Sequence, residues 1–543
     1  MTSTRTRTAA RGALAGLVAA ALLLGTASAL AALVGRGSDP FLAVGDAVVR
    51  LSPQALTSFA ISTFGTYDKL VLFVGIGVVV TLAAAASGVV ATRRLALGVV
   101  LPLLLVVAAL VAVLTSPGTT ALALLPTVVG TLVAGAAFLW LVRLAGSSRA
   151  TSPGPVPVPD ADVAQQQGRG TQAGGGATAA PTDHGTGAPA SRRLFLGVAG
   201  AGALTAAGLA AVGRVLDGTL RDATASRDRL ALPAAGNTLP DVPAGAELVD
   251  GAPFRTPNAD FYRVDTALTV PQIPAEGWTV RVHGLVDRPL ELDWNALTTR
   301  FEVMDREITL VCVSNPVGGE LAGNAVWRGI RLSDVLAEAG VDPAADMVLS
   351  TSVDGWTAST PLAALVDAED PLLAFAMNGE PLPFDHGFPV RMVVPGLYGY
   401  VSATKWVTDL KVTTFAEDEA YWTPRGYAAE APVKVASRIE LPASFARLAT
   451  GPVVVAGTAW HPGVGIDAVE VRVDDGDWQP AELGEVPGPT TWRQWRYEWA
   501  AEPGQHTLRV RATDAEGEVQ TDERAEIAPD GSSGWHSVVV TVT

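Results

Sequence analysis

Long apolar runs near the N-terminus constrain this chain more than any other feature of its sequence. They cover roughly residues 12–34, 70–91, 95–115 and 121–142. Each run has about the 20 residues that a helix needs to cross the hydrocarbon core of a bilayer. The sequence therefore predicts a membrane domain over residues 1–146 with about four transmembrane helices. Because further spans follow the first run, an uncleaved helix is favoured there over a cleaved signal peptide.

The remainder of the chain differs in composition from this apolar part. The chain combines a net charge of -16 with a positive mean hydropathy of +0.31, which indicates a membrane part joined to an acidic soluble part. Acidic charge argues against nucleic acid as a partner, because phosphate backbones would repel it. Residues 147–190 are rich in Gly, Pro, Ala, Gln and Thr. Since such a segment cannot bury a core, it is predicted to be a disordered cytoplasmic linker.

Basic residues flank the apolar runs and predict their orientation. If every run crosses the membrane, three groups of arginines share one side: Arg5, Arg7 and Arg11; Arg93 and Arg94; Arg143 and Arg149. Loops on the cytoplasmic side carry the excess of Lys and Arg. That side is therefore predicted to be cytoplasmic.

A pair of adjacent arginines precedes a further, weakly apolar stretch. The segment Ser191-Arg-Arg-Leu-Phe-Leu-Gly197 leads into a run rich in Gly and Ala. The two arginines could simply flank a membrane span on its cytoplasmic side. The complete pattern resembles a twin-arginine export signal, which is read by machinery that moves folded proteins. Residues 191–216 are therefore predicted to be an internal export signal and a fifth transmembrane helix, with the rest of the chain outside the cytoplasm.

The chain contains a single cysteine, Cys312, placed where an apolar run meets a turn rich in Asn, Pro and Gly. One cysteine excludes an intrachain disulfide and any cysteine-rich zinc or iron–sulfur site. The thiol is a buried filler, a nucleophile, or one protein ligand of a metal that a cofactor holds.

Mixed helix and strand patterns follow the export segment. Residues 278–284 alternate like a strand, residues 332–340 form an amphipathic helix ending at Gly, and residues 389–395 read as a buried strand. An α+β domain is predicted over residues 241–430.

The pattern changes to strands alone after Ala431. Residues 468–474, 506–512 and 536–542 alternate between apolar and polar side chains, with turn residues between them. Several short strands separated by turns are typical of a sandwich. Residues 431–543 are therefore predicted to be an all-β immunoglobulin-like sandwich.

Four strings in this region resemble the sulfite oxidase family of molybdopterin enzymes. They are Thr309-Leu-Val-Cys-Val-Ser-Asn315, the stretch from Ala376 to Gly396, Ala403-Thr-Lys-Trp406 and Thr458-Ala-Trp-His461. The resemblance runs from about Asp241 to the C-terminus and includes the family's dimerisation domain. The implied fold is multi-domain: transmembrane α-helices, then an α+β molybdopterin-binding catalytic domain, then the all-β immunoglobulin-like dimerisation domain.

The resemblance implies a molybdenum–molybdopterin cofactor and residues that hold it. Cys312 falls on the position whose thiolate binds molybdenum, a soft ligand suited to that metal. The pterin carries a phosphate, for which cationic donors are needed. The implied cofactor-binding residues are Tyr262, Arg263, His386, Arg391, Ser402 and Lys405. For Arg391 a satisfied salt bridge is the alternative, and for His386 a capping role.

The family's catalytic tyrosine has a candidate in Tyr427, with Arg425 beside it. A phenol can hydrogen-bond an oxygen in the active site and steady a developing charge. The alternative is a loop tyrosine that packs between the two domains. The sequence departs from the family after Cys312, where the family carries arginine and this chain has Val-Ser-Asn-Pro-Val317. Val317, Trp327 and Tyr398 are expected to form a less charged pocket.

The membrane part predicts how electrons must be exchanged. Residues 1–183 contain no His and no Cys, so these helices cannot bind a b-type haem through paired histidines, and no haem is expected in this chain. A separate electron-transfer partner, a cytochrome or a quinone-linked protein, is expected. The C-terminal domain type also indicates a possible homodimer.

Together these features predict a membrane-anchored, extracytoplasmic molybdenum oxidoreductase that transfers an oxygen atom to or from a small molecule, as sulfite oxidases do. The multi-pass anchor would lie in the cell membrane. Two alternatives stay open: a sulfoxide or N-oxide reductase of the same family, and a non-enzymatic, membrane-tethered interaction module.

Overall fold

The computed structural model describes residues 2–53, 56, 59, 63–64, 67–116, 119–146, 188–250, 252–366 and 371–543. The predicted linker, residues 147–190, lies almost wholly outside the described residues. The chain forms two compact units. One comprises Met1–Arg50 and Ala60–Leu220, and the other comprises Leu51–Phe59 and Arg221–Thr543.

The first unit is helical. Its helices are α1 (Thr2–Val34), α2 (Pro40–Leu51), α3 (Asp68–Ala91), α4 (Leu95–Leu114), α5 (Leu125–Gly146) and α6 (Ala188–Arg221). In the described part of the chain, 5 helices are long and apolar enough to cross a membrane, and they match the predicted runs together with the export segment. Helices that are apolar on all sides need either a protein core or lipid around them.

Small residues allow helix α1 to pack closely against its neighbours. A Cβ atom added to Gly88 of α3 would come within 1.9 Å of the carbonyl oxygen of Gly12 in α1. Close approach of this kind is how helices associate where hydrophobic driving force is weak. Along α6, Gly202 approaches Val18 and Gly213 approaches Ala29. Because the two residue numbers rise together, α1 and α6 run parallel and begin at the same side of the unit.

The second unit begins with a region of mixed helices and strands. Its helices are α7 (Thr224–Arg229), α8 (Trp294–Arg300), α9 (Leu332–Ala339), α10 (Ala363–Val366) and α11 (Gly399–Ser402). Its strands are β1 (Thr279–Gly284), β2 (Leu290–Asp293), β3 (Val303–Val311), β4 (Ala322–Arg331), β5 (Met347–Ser352), β6 (Thr357–Pro361), β7 (Leu372–Met377), β8 (Glu380–Pro381), β9 (Arg391–Val393) and β10 (Val407–Thr413).

These strands form two sheets that position the site. One has the order β2-β1-β10-β5-β6, and the other has the order β3-β4-β7-β8 with β9 paired to β7. The predicted helix α9 ends at Gly340, whose φ of 71° places it in the left-handed region that favours glycine. Strand β9 is buried along its whole length, so its Arg391 is carried into the interior. The predicted strands and helix of this region are confirmed at these positions.

Two further sheets form the C-terminal sandwich. Its strands are β11 (Ala436–Leu441), β12 (Arg447–Leu448), β13 (Gly451–Trp460), β14 (Ile466–Val473), β15 (Gln479–Pro480), β16 (Glu482–Leu483), β17 (Arg493–Ala501), β18 (Gly504–Asp514) and β19 (His536–Val542). The sheet orders are β11-β13-β17-β16 and β12-β19-β18-β14-β15. Val455 and Trp495 from the first sheet pack with Val510 and Val540 from the second. The all-β sandwich is present, and its immunoglobulin-like character stays a prediction.

Hydrogen bonds join the sandwich to strand β3, which leads into the cysteine. The Thr309 amide donates to the Thr490 carbonyl at 3.0 Å, and the Trp492 amide donates to Thr309 Oγ1 at 2.8 Å. Tyr398 and Val311 pack with Trp460 and Trp492 in one buried cluster. The cysteine-bearing strand therefore lies at the junction of the two halves of this unit.

Candidate active site

Cys312 follows β3 directly and begins a tightly bonded loop. Its side chain is 8% exposed, its amide donates to the Leu321 carbonyl at 2.9 Å, and its carbonyl accepts from the Asn315 amide at 3.0 Å. The Ser314 amide points at Sγ from 3.4 Å. Burial raises the pKa of the Cys312 thiol, and the bond from Ser314 offsets this only in part. The thiol is therefore protonated without a metal, and metal binding would release the proton.

Arg391 is a buried cation whose hydrogen-bond partners, among the residues that the structure describes, are all backbone carbonyls. Its guanidinium donates to the carbonyls of Met392, His386 and Ala403 at 3.3, 3.1 and 3.4 Å, and it lies 4.9 Å from the centroid of the Trp327 ring. Within the described part of the chain, no carboxylate forms an ion pair with it. Burial lowers the pKa of Arg391 to about 10. A buried charge without a counterion indicates a site for an anion.

His386 and Tyr262 lie beside this arginine. His386 Nε2 donates to the Asn258 carbonyl at 3.2 Å, which leaves Nδ1 as an acceptor. Burial lowers the pKa of His386 to about 4, and the charges of Arg391 and Lys405 add to this effect, so the ring is neutral. Burial raises the pKa of Tyr262, the charge of Cys312 raises it further, and that of Arg391 opposes both. Tyr262 is thus close enough to Cys312 and to Arg391 for its charge to interact with the charge of each.

Lys405 and Arg263 are cations that share a carboxylate. Lys405 Nζ donates to Asp265 Oδ2 at 2.8 Å and to the Asp385 carbonyl at 2.9 Å. Arg263 Nε donates to the same Asp265 oxygen at 2.9 Å. Burial lowers the pKa of Lys405 to about 8, against the opposing effect of Asp265. The two cations are therefore partly neutralised, in contrast to Arg391.

Two further predicted site residues, Ser402 and Tyr427, contact other parts of the protein: the Ser402 hydroxyl donates to backbone carbonyls, and the Tyr427 ring packs against aromatic rings. Ser402 is fully buried and its hydroxyl donates to the carbonyls of Leu397 and Tyr398 at 3.1 and 3.0 Å. Tyr427 is half-buried, and its ring lies 5.5 Å from that of Tyr400 and 5.2 Å from that of Trp422. Burial raises the pKa of Tyr427, and the charge of Cys312 raises it further. Tyr427 therefore lies near the thiol and also packs in the cluster between the two halves of the unit.

Arg425 is placed differently from the other predicted residues. Its guanidinium lies 3.8 Å from the centroid of the Tyr421 ring and donates to the Tyr421 carbonyl. These contacts hold the loop that carries Tyr427.

A cavity of about 260 Å³ borders the loop after Cys312. Val317 and Tyr398 line it as expected, together with Trp460 of the sandwich, whereas Trp327 is fully buried beneath Arg391. The pocket role of Trp327 is therefore wrong, because its ring supports the guanidinium. The cation that lines the cavity is Lys434, and its Nζ pairs with Asp530 at 2.8 Å.

Sequence reasoning missed Asp265 and Asp385. Each forms an ion pair with Arg263: Asp265 Oδ2 lies 2.9 Å from Nε, and Asp385 Oδ2 lies 3.5 Å from Nη1. Both are close in sequence to residues that were singled out, two after Arg263 and one before His386. Their closeness in sequence to these residues could have indicated them, but only the fold shows with which cation each carboxylate forms an ion pair.

A protein-only metal site is not present in the part of the chain that the structure describes. No group of three or more His, Cys, Asp or Glu side chains comes together there. A metal at Cys312 would need further ligands from a cofactor. The residues fit such a group, because Tyr262 is close both to the buried thiol and to Arg391, a buried arginine suited to the anionic part of the same cofactor.

Comparisons with known proteins identify the type of domain that carries this site. Residues 267–422 match the family model described as oxidoreductase molybdopterin binding domain. The chain is 33% identical to mitochondrial sulfite oxidase of Mus musculus over 341 residues, covering 53% of this chain and 62% of that protein. It is 37% identical over 150 residues to the uncharacterized oxidoreductase YuiH of Bacillus subtilis (strain 168), covering 28% of this chain and 72% of that protein.

A nitrate reductase is similar over a shorter part of its length. The NADH nitrate reductase 1 of Oryza sativa subsp. japonica is 36% identical over 194 residues, which cover 31% of this chain and 21% of that protein. The chain therefore spans less than two thirds of the length of the sulfite oxidase and nitrate reductase that it matches.

The fold, the site and these similarities define a molybdopterin-dependent oxidoreductase. The chain belongs to the sulfite oxidase family, and its cofactor is the molybdenum cofactor of that family. The matched residues include Cys312, His386, Arg391, Ser402 and Lys405. Family membership and the presence of the catalytic domain type support an enzyme.

Proposed function

We propose that this protein is a membrane-anchored, extracytoplasmic oxidoreductase that exchanges an oxygen atom with a small-molecule substrate. The observation that carries the proposal is the placement of the only thiol, Cys312, close to Tyr262, which is also close to the buried Arg391. When bound, the molybdenum cofactor supplies the two-electron oxygen-atom transfer. The protein supplies a ligand, anion recognition and substrate orientation.

The residues around the thiol have distinct proposed roles. Cys312 gives up its proton and binds the metal. Arg391, His386 and Tyr262 would hold the cofactor, and Lys405 and Arg263, which share Asp265, would hold its anionic groups. Ser402 braces the same loop through its two carbonyl partners.

Tyr427 and Arg425 are proposed to act on the substrate side. Because its pKa is raised, the Tyr427 phenol keeps its proton at neutral pH and can donate a hydrogen bond to a substrate oxygen. Arg425 holds the Tyr427 loop through Tyr421.

The domain division follows the sequence. We propose a membrane domain at 1–146, a linker at 147–190, an export signal and fifth span at 191–216, a catalytic domain at 241–430 and an immunoglobulin-like dimerisation domain at 431–543. The parallel course of α1 and α6 supports the proposed topology, because α1 would then leave the cytoplasm in the same direction as α6. A dimer through the sandwich and a separate cytochrome or quinone-linked electron partner complete the proposal.

Replacing Arg192 and Arg193 together by lysine is expected to leave the catalytic region in the cytoplasm. Export machinery for folded proteins reads the arginine pair, whereas two lysines keep the positive charge that flanks a span. Protease added to spheroplasts should then degrade the region beyond residue 216 in the parent protein only. Replacing Arg93 and Arg94 by lysine is the matched control and should not change accessibility. Equal digestion of parent and Arg192/Arg193 variant would contradict an export role.

A neutral oxide is the second candidate substrate, and the cavity favours it. The Cys312 loop carries no cation, and the cavity cation Lys434 is held by Asp530. A dianion such as sulfite would enter without an unpaired positive charge to meet it, at a substantial desolvation cost. Tyr398, Trp460 and Val317 suit a sulfoxide or an N-oxide instead.

Metal and pterin analysis of the full chain from a cofactor-producing host tests the proposal first. About one molybdenum and one pterin per chain are expected, and properly folded protein lacking both would contradict it. The loaded protein is then assayed with sulfite plus ferricyanide, and with dimethyl sulfoxide or trimethylamine N-oxide plus a reduced dye. Turnover of sulfite alone would remove the second candidate, and turnover of an oxide alone would establish it.

A further inference from the structure

We propose that Arg438 of the sandwich is a positioning residue that holds the cysteine loop, residues 312–319, and thereby fixes the Cys312 thiol. This inference rests on the proposed role of Cys312 as the metal ligand. The sandwich would then take part in building the metal site, in addition to any role in dimer formation.

Arg438 lies on strand β11, and its guanidinium is fixed from several directions. Nη1 donates to the Gly319 carbonyl at 3.0 Å, and Nε donates to Glu440 Oε1 at 2.9 Å. Thr458 Oγ1 donates to the same carboxylate oxygen at 2.9 Å and so fixes the position of Glu440. The guanidinium also lies 5.7 Å from the ring centroids of both Trp460 and Trp492. A planar group held in this way has one orientation, and it directs one N–H at the loop.

The loop is shaped to receive these contacts. Gly318 has φ 79°, and a Cβ atom there would come within 2.2 Å of the His536 ring. Neither requirement is met by another residue type without a shift of the loop or of β19. Ser532 Oγ donates to the Asn315 carbonyl at 2.7 Å. The sandwich therefore touches the loop at Asn315, Gly318 and Gly319.

Asn315, one of these contacted residues, is connected to Cys312 by hydrogen bonds within the loop. The Asn315 amide donates to the Cys312 carbonyl at 3.0 Å, while Asn315 Oδ1 accepts from the Leu321 amide at 2.9 Å. The Leu321 carbonyl in turn accepts from the Cys312 amide at 2.9 Å. Asn315 is thus the central residue of a closed set of bonds, and the sandwich holds it from outside through Ser532. Loosening the sandwich contacts would free the loop to open and expose the thiol.

Because Cys312 is the only cysteine in the sequence, the rate of thiol labelling measures the exposure of Cys312 alone. The cofactor-free full chain, purified in detergent, is reacted with a chromogenic disulfide reagent, and the labelling rate is followed. Arg438→Ala is expected to raise the rate at least tenfold. Arg438→Lys, which reaches either Gly319 or Glu440 but not both, should give an intermediate rate. Ser532→Ala, which removes a single contact to Asn315, should raise the rate about threefold.

Arg511→Ala is the matched control. Arg511 lies in the same sandwich, pairs with Glu470 at 2.7 Å and lies 4.4 Å from the Trp478 ring centroid. It therefore has the same kinds of partner, but these contacts lie away from the cysteine loop. Its labelling rate should stay within twofold of the parent. Equal rates for Arg438→Ala and Arg511→Ala would overturn the inference.

The denaturant dependence of labelling separates local opening from unfolding. Opening of the loop alone exposes little surface, so the Arg438→Ala rate should depend weakly on urea at low concentrations. A rate that follows the global unfolding curve would mean that Arg438 acts only on stability, and would also overturn the inference. Molybdenum content of the parent tests the proposed function separately, because labelling is measured without cofactor. If the parent binds molybdenum, Arg438→Ala should retain less of it than Arg511→Ala.

Discussion

Cys312→Ser is expected to lower turnover by at least about a hundredfold while the fold stays intact. Loss of groups that merely orient a metal ligand already costs about 10–100-fold, and the thiolate is the ligand itself. Serine has nearly the size and shape of cysteine, so the backbone hydrogen bonds that join residue 312 to Leu321 and to Asn315 should survive. Turnover and molybdenum content per chain are measured on the same preparation, together with the urea midpoint of unfolding.

Ser314→Ala is the control for this substitution. It removes the Ser314 hydroxyl, which also helps to lower the pKa of the Cys312 thiol, but leaves the Ser314 amide bond to Sγ at 3.4 Å. Its turnover should stay within a few-fold of the parent. Turnover of Cys312→Ser near that of the parent, with a normal midpoint, would contradict the ligand role and return Cys312 to a buried filler.

Arg391→Met is expected to stabilise the cofactor-free protein and to weaken cofactor retention. At neutral pH the arginine is charged in both the folded and the unfolded chain, because the pH lies below its ordinary pKa and below the lowered value of about 10. The cost of burying that charge is therefore fully present. Its hydrogen bonds to carbonyls are long and offset the cost only in part. Methionine fills similar volume without charge, so the free energy of unfolding should rise by about 1 kcal/mol.

The same substitution is expected to weaken cofactor binding, and this opposite effect distinguishes anion recognition from a structural role of Arg391. Loss of the buried cation should lower cofactor retention by about 10–100-fold, measured as pterin remaining after dialysis. Arg328→Met is the matched control. Arg328 forms two 2.8 Å bonds to Asp305. Its loss should destabilise the fold by about 1–3 kcal/mol and leave cofactor retention unchanged. A destabilised Arg391→Met protein with normal pterin content would refute anion recognition by Arg391.

The cationic residues of the site show how much can be predicted from the sequence. Their identity and their approximate neighbourhood are readable, because Arg391 lies in a strand-like apolar segment and Lys405 lies in a short matched string. The sequence does not show which of these cations forms an ion pair. Asp265 pairs with Lys405 across 140 positions of sequence, whereas Arg391 donates to backbone carbonyls and lies over the Trp327 ring. Two cations that look alike in the sequence therefore carry different charge balances in the fold.

The pocket and the cysteine loop show the same limit. Val317 and Tyr398 line the cavity as expected, but Trp327 lies below Arg391, since the face of β4 on which it lies turns inward. The contacts that hold the loop come from Arg438 and Ser532, more than a hundred residues further along the chain. Nothing local to Cys312 indicates either of them.

The sequence by itself determined the apolar helices, the mixed and all-β regions, and the residues Cys312, His386, Arg391 and Lys405. These follow from hydropathy, alternation and short strings, which depend on neighbours in the chain. Only the tertiary structure shows which cations form ion pairs, which hydroxyl donates to backbone carbonyls, and which residues of the sandwich contact the cysteine loop. Those outcomes depend on contacts between segments that are distant in sequence, and only folding brings such segments within hydrogen-bond distance.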